Sequence, residues 1–182
     1  MLKVIPYSQL RTGDLVHVTS YSFIATAIRI REVGIRKAFN KSVATHTGIV
    51  LTLENGEMVA IAEMKSNGLK VNSFSDYLKK GPLDPGIIMI SRHPKLDDPL
   101  LLEKYRSELT RLWKEGKKYD LEGCLKWAFP FLKEKSKDFY CSELAEYLAI
   151  FCGFSYFRNN PGPNDNVMPI TLQYSPFLRK IC

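Results

Sequence analysis

The chain has 182 residues, 45% of them hydrophobic and 25% charged, with a net charge of +7. These are the proportions of an ordinary globular protein, and the length suits one domain spanning 1–182 that buries its core without disulfide or metal staples. They exclude a disordered or fibrous chain, and no run approaches the roughly 18 apolar residues of a membrane span. Met1 to Gln9 has neither the apolar core nor the cleavage site of an export signal, so the sequence points to a cytoplasmic protein.

In chain order, Thr12-Gly13-Asp14 is a turn feeding the short strand Leu15-Val16-His17-Val18. Residues 21–39 can form an amphipathic helix, weakened by Gly34. Residues 47–53 and 58–64 are β-branched and apolar, and Asn55-Gly56 between them marks an antiparallel hairpin. A short strand over 68–71 and a short helix over 75–80 follow, then the apolar strand Gly86–Arg92. Residues 99–115 have helical periodicity, with Leu101, Leu102, Tyr105, Leu109, Leu112 and Trp113 near one face. Another helix fits 121–132. The most apolar helix is predicted over 138–152, with Gly153 as its stop. The tail from Asn159 carries Pro161, Pro163 and Pro169 and is expected to be mostly irregular. Strands come first and helices mostly after, which predicts an α+β fold with an antiparallel sheet packed against helices.

The positive charge invites a nucleic-acid reading. However, Arg29, Arg31, Arg36, Lys37 and Lys41, like Lys114, Lys117 and Lys118, fall on expected helices or turns, and no nucleic-acid-binding motif is visible. No dedicated nucleic-acid binding is expected; attraction to an anionic polymer or membrane surface fits the excess charge better. The cysteines, Cys124, Cys141, Cys152 and Cys182, form no CxxC pair and match no zinc spacing, so no metal and no cofactor is expected. Cys152 and Cys124 read as packing residues and Cys182 as terminal.

Cys141 stands apart. It opens the apolar helix just after Asp138, a suitable N-cap. Unpaired N–H groups and the helix dipole at such a place lower a thiol pKa and can hold an oxyanion. A thiol nucleophile also needs a base and a group that orients it. His46 enters the first hairpin strand and Glu63 lies near the end of the second, so antiparallel pairing puts both at one end of the hairpin. The carboxylate there can fix the imidazole tautomer. His17, inside a short apolar strand, reads as packed, and His93, between Arg92 and Pro94, reads as surface.

With these residues in place, the sequence resembles the NlpC/P60 superfamily of papain-like enzymes, in its circularly permuted, YiiX-like branch. The resemblance rests on Gly13-Asp14-Leu15-Val16, Thr45-His46-Thr47-Gly48-Ile49-Val50, Val59-Ala60-Ile61-Ala62-Glu63-Met64, Lys118-Tyr119-Asp120-Leu121, Phe139-Tyr140-Cys141-Ser142-Glu143-Leu144 and Pro169-Ile170-Thr171-Leu172 with Ser175-Pro176-Phe177. It covers the chain from about residue 10 onward, and the His precedes the Cys, as permutation requires. It implies a circularly permuted papain-like fold, Cys141 as nucleophile, His46 as base and Glu63 as orienting residue. Tyr140 and Asp14 are candidates for the substrate pocket, although Asp14 also fits a structural role.

The implied activity is that of a cysteine hydrolase, peptidase- or amidase-like, cleaving an amide or peptide bond through a thioacyl-enzyme. The same superfamily includes lipid acyl hydrolases and acyltransferases, so a small amide, a peptide or a lipid acyl compound could be the substrate. A third reading is a non-catalytic binding module for anionic partners.

Overall fold

The computed structural model describes residues 7–19, 30, 43–52, 59–65, 68–77, 86–118, 141–157 and 168–181. Apart from residue 30, the expected helix over 21–39 lies outside them, as do the expected helix over 121–132, the Asn55-Gly56 turn, Asp138, Tyr140, Cys124 and Cys182.

The β-branched, apolar segments form one antiparallel sheet from β1 (Leu15–Thr19), β2 (His46–Thr52), β3 (Val59–Lys65), β4 (Gly68–Ser73), β5 (Gly86–Arg92) and β6 (Arg179–Lys180). Its order is β4-β3-β2-β1-β5-β6, and every pairing is antiparallel. The alternation of side chains across each strand separates two cores. On one face Leu15, Ile49, Leu51, Ala62 and Met64 pack with the helices; on the other Val16, Val18, Val50, Ile61 and Ile90 form a second cluster with Leu10 and Phe74. The central β1 is therefore buried along its whole length. This explains why it reads as a nearly continuous apolar run rather than an alternating one. His17 is packed within it as expected, with Nε2 2.7 Å from Ser91 Oγ.

The helical layer contains α1 (Pro99–Lys114) and α2 (Cys141–Phe151). Pro99 is pre-set for a first helical position, and the Asp98 carboxylate accepts the Leu100 N–H at 2.8 Å, so α1 starts where its sequence says it should. Tyr105, Leu109 and Leu112 from α1 meet Leu144, Ala145 and Leu148 from α2 in the core. Each fully buried leucine contributes roughly 1.5–3 kcal/mol. Trp113 falls off this face and is exposed. At the end of α2, Gly153 has φ +84°, the Phe154 N–H donates to Ala149 O at 3.0 Å and the Gly153 N–H to Ile150 O at 2.9 Å. That is a Schellman closure, and it requires the left-handed conformation that glycine adopts without strain.

Three expectations are corrected. The segment expected to be a helix over 75–80 contains instead a 3₁₀ turn, Phe74–Tyr77, within the described residues. The tail is more regular than its prolines suggest. Pro169 opens a short helix, α3 (Pro169–Gln173), and Arg179–Lys180 adds an edge strand to β5. His93 is not a surface residue. It is buried and stacked on Phe154 with ring centroids 4.5 Å apart, and burial, helped by the charge of Lys95, pulls it down to about 4.

Two features position the hairpin. Gly48 lies so close to β3 that a Cβ there would sit 2.4 Å from Ile61 Cγ2. Gly48→Ala is expected to cost about 1–3 kcal/mol through overpacking, read as a lowered urea midpoint. The second feature is the length of the ladders. Pairing of β2 with β3 runs from Thr52↔Val59 only to Ile49↔Ala62, whereas β1 pairs with β2 as far as His46 and β3 with β4 as far as Lys65. Backbone groups on the β3 side of Thr47 are thus released from the sheet at the end of the hairpin where His46 and Glu63 lie.

Candidate active site

The first residue of β2 is His46, and its Nε2 is 2.8 Å from Glu63 Oε2 on β3. Glu63 is not the solvated carboxylate its strand-end position permitted; its side chain is only 3% exposed, against 22% for His46. With Nε2 engaged by Glu63, Nδ1 is the imidazole nitrogen left for the thiol of Cys141, with which His46 also hydrogen bonds.

Cys141 opens α2 and is buried. Its sulfur accepts backbone N–H groups from Thr47 and Ser142. Both follow from local structure. Ser142 belongs to the first turn of α2, whose N–H groups have no partners inside the helix. The Val50 N–H points to β1, where it donates to Asp14 O at 2.8 Å. Alternation then directs the Thr47 N–H toward β3, beyond the last β2–β3 pair, where it is free to meet the sulfur.

The two titrations are locked together. Burial alone would push His46 down, but the charge and hydrogen bond of Cys141, joined by those of Glu63, outweigh it and push it up to about 10. Burial alone would push Cys141 up; the His46 charge and hydrogen bond, with the Thr47 and Ser142 N–H groups, instead hold it below the ordinary thiol value. The two shifts run in opposite directions, and both favour a thiolate facing an imidazolium over the neutral pair. Cys152 gives the contrast: burial pushes that thiol up to about 11, as a packing residue should show.

The other oxygen of Glu63, Oε1, accepts from Asn72 Nδ2 at 2.8 Å. Asn72, on β4, was not singled out in the sequence, and neither was the role of Thr47. No motif marks either one. They follow only from strand register and from the point at which a ladder stops.

Asp14 is not part of this cluster. It sits at the far end of β1, where its carboxylate meets Arg92 Nε at 2.6 Å and Nη2 at 2.8 Å and accepts the Arg11 N–H at 2.9 Å. These contacts tie the first turn to β5, at the opposite end of β1 from Val18, the residue that pairs with His46. Among the described residues no three His, Cys, Asp or Glu side chains come together to hold a metal ion, and no helix is long and apolar enough to cross a membrane. In comparisons with known proteins, no family model and no curated protein matches the chain.

Proposed function

We propose that this protein is a cysteine hydrolase of the permuted papain-like kind, cleaving an amide or peptide bond through Cys141, His46 and Glu63. The observation that carries this reading is the continuous chain from the Cys141 sulfur through His46 to Glu63, with thiol and imidazole pKa values displaced in opposite directions. A structural cysteine needs neither a base nor N–H groups aimed at its sulfur. The order of His46 before Cys141, with both set in segments similar to those of the NlpC/P60 superfamily, supports the permuted form.

In this mechanism the thiolate attacks the carbonyl carbon and the carbonyl electron pair moves to oxygen, held by N–H groups of the first turn of α2. As the tetrahedral intermediate collapses, the carbon–nitrogen bond breaks and His46 gives its proton to the departing amine. A thioacyl-enzyme remains. His46, now neutral, takes a proton from water as the water attacks; the acid departs and the thiolate–imidazolium pair is restored. Glu63 stays ionised throughout, fixing the tautomer and stabilising the imidazolium.

Intact-mass spectrometry after incubation with a panel of peptidyl amides and acyl esters tests the proposal. The expected result is a single acyl adduct mapped to Cys141, absent in Cys141→Ala, with turnover highest on the amides. Absence of both adduct and turnover across the panel would remove the enzymatic reading; turnover confined to long-chain esters would move the substrate to the lipid acyl class.

A further inference from the structure

We propose that Asn72 is a positioning residue of the same site, the fourth member of a relay that runs Cys141–His46–Glu63–Asn72. The proposal rests on the assignment of Cys141, His46 and Glu63 as the reacting unit. It concerns what holds that unit in its working geometry.

The argument begins with register. β3 and β4 pair Ile61 with Asn72 and Glu63 with Lys70. Asn72 is therefore the diagonal neighbour of Glu63 on the same face, within reach of a side-chain hydrogen bond. Extending the β2–β3 register places His46 on that face as well. Three adjacent strands thus contribute one side chain each to a single row, with contacts of 2.8 Å from His46 to Glu63 and 2.8 Å from Glu63 to Asn72.

The chemistry of the last member matters. Glu63 is buried, and the hydrogen bond from Asn72 to Oε1 opposes the rotation about the terminal torsion that would carry Oε2 off the imidazole. The Asn72 amide holds Oε1 and so keeps Oε2 on His46. As a neutral donor it fixes the carboxylate without adding a charge that would compete for it, and the full charge of Glu63 remains directed at the imidazolium. A lysine or arginine in this place would draw the carboxylate away from His46. An aspartate would present a second acceptor and a second negative charge, raising the proton affinity of the pair.

The test is the rate of Cys141 alkylation by iodoacetamide across pH in wild type, Asn72→Ala, Asn72→Asp and His46→Ala, each first shown to melt cooperatively. Asn72→Ala is expected to slow labelling about tenfold near neutrality, the size of one hydrogen bond to a charged group. Asn72→Asp has nearly the shape of the native side chain, yet it should be slower than Asn72→Ala at pH 7–8. It should recover as the pH falls and its new carboxyl gains a proton to donate. Labelling of both variants at the wild-type rate, with His46→Ala still slow, would overturn the role of Asn72 and leave the triad standing. Slowing in Asn72→Ala with Asn72→Asp at the wild-type rate and pH profile would also overturn it, since a side chain of the same shape without the amide donor would then suffice. If wild-type Cys141 labels no faster than the other thiols and His46→Ala changes nothing, the triad fails and the relay falls with it.

Discussion

His46→Ala should slow iodoacetamide labelling of Cys141 at pH 7 by about 10–10²-fold, because only the thiolate is alkylated and its share falls about tenfold for each unit by which the thiol pKa lies above the pH. In the wild-type protein the thiol is held below its ordinary value, so its thiolate share at neutrality exceeds that of a free thiol. Without the imidazolium, burial dominates and the thiol titrates above the usual ~8.5. The pH profile should change with the rate. In wild type, labelling should rise at a pH below that of a free thiol, and the ion pair should persist until His46 loses its proton at about 10. In His46→Ala the rise should move to alkaline pH. Glu63→Gln should fall between the two, because it keeps the shape but lowers the imidazolium pKa.

Stability follows the same groups. His46 is raised above its unfolded value of 6.5, so its contribution is fully present below about 6.5 and lost as the pH climbs through about 10. Cys141 is lowered, so its contribution is present above the ordinary thiol value and lost as the pH falls through the folded one. Cys152, pushed up to about 11, is the slow internal reference, with sites assigned by peptide mapping. A Cys141 rate unchanged by His46→Ala would contradict the ion pair.

The parts of this site that were legible in the sequence are those fixed by local chemistry. Cys141 could be read because a helix start is written in the apolar run that follows it. His46 and Glu63 could be read because hairpin pairing brings the two ends of neighbouring strands together. The strands β1, β2, β3 and β5 were likewise visible, since β-branched and apolar segments of strand length have few other uses. What escaped depends on distance along the chain. Asn72 reaches Glu63 only through the β3–β4 register, and the Thr47 N–H is free only because one ladder stops at Ile49 while its neighbours continue. His93 was misplaced because a strand end beside a proline reads as surface. Its cover is Phe154, 61 residues away, and no local pattern announces that contact.

Asp14 makes the same point from the other side, and it carries the largest expected effect on stability. Asp14→Ala should lower the folding free energy by about 3–5 kcal/mol, because it leaves a buried guanidinium without its carboxylate. Two contacts to Arg92 are lost together with the acceptor for the Arg11 N–H. The Arg92 side chain, 8% exposed, has little access to water as a substitute. Such a loss is a large share of the 5–15 kcal/mol typical of a folded domain. Asp14→Asn keeps an acceptor for the turn and should cost less. The double variant Asp14→Leu with Arg92→Met should cost less than Asp14→Ala alone, since removing both charges leaves none buried and unpaired.

Urea unfolding measures all three, with Cys141 labelling at low temperature alongside. If Asp14 contacted substrate, Asp14→Asn would abolish turnover while leaving stability near wild type. The ion pair with Arg92 implies the opposite: the folded fraction of each variant should label Cys141 at close to the wild-type rate while the urea midpoint drops. A cost below about 1 kcal/mol for Asp14→Ala, the range of an exposed pair, would show that the Asp14–Arg92 contact is not the fastening between the first turn and β5 that its burial indicates.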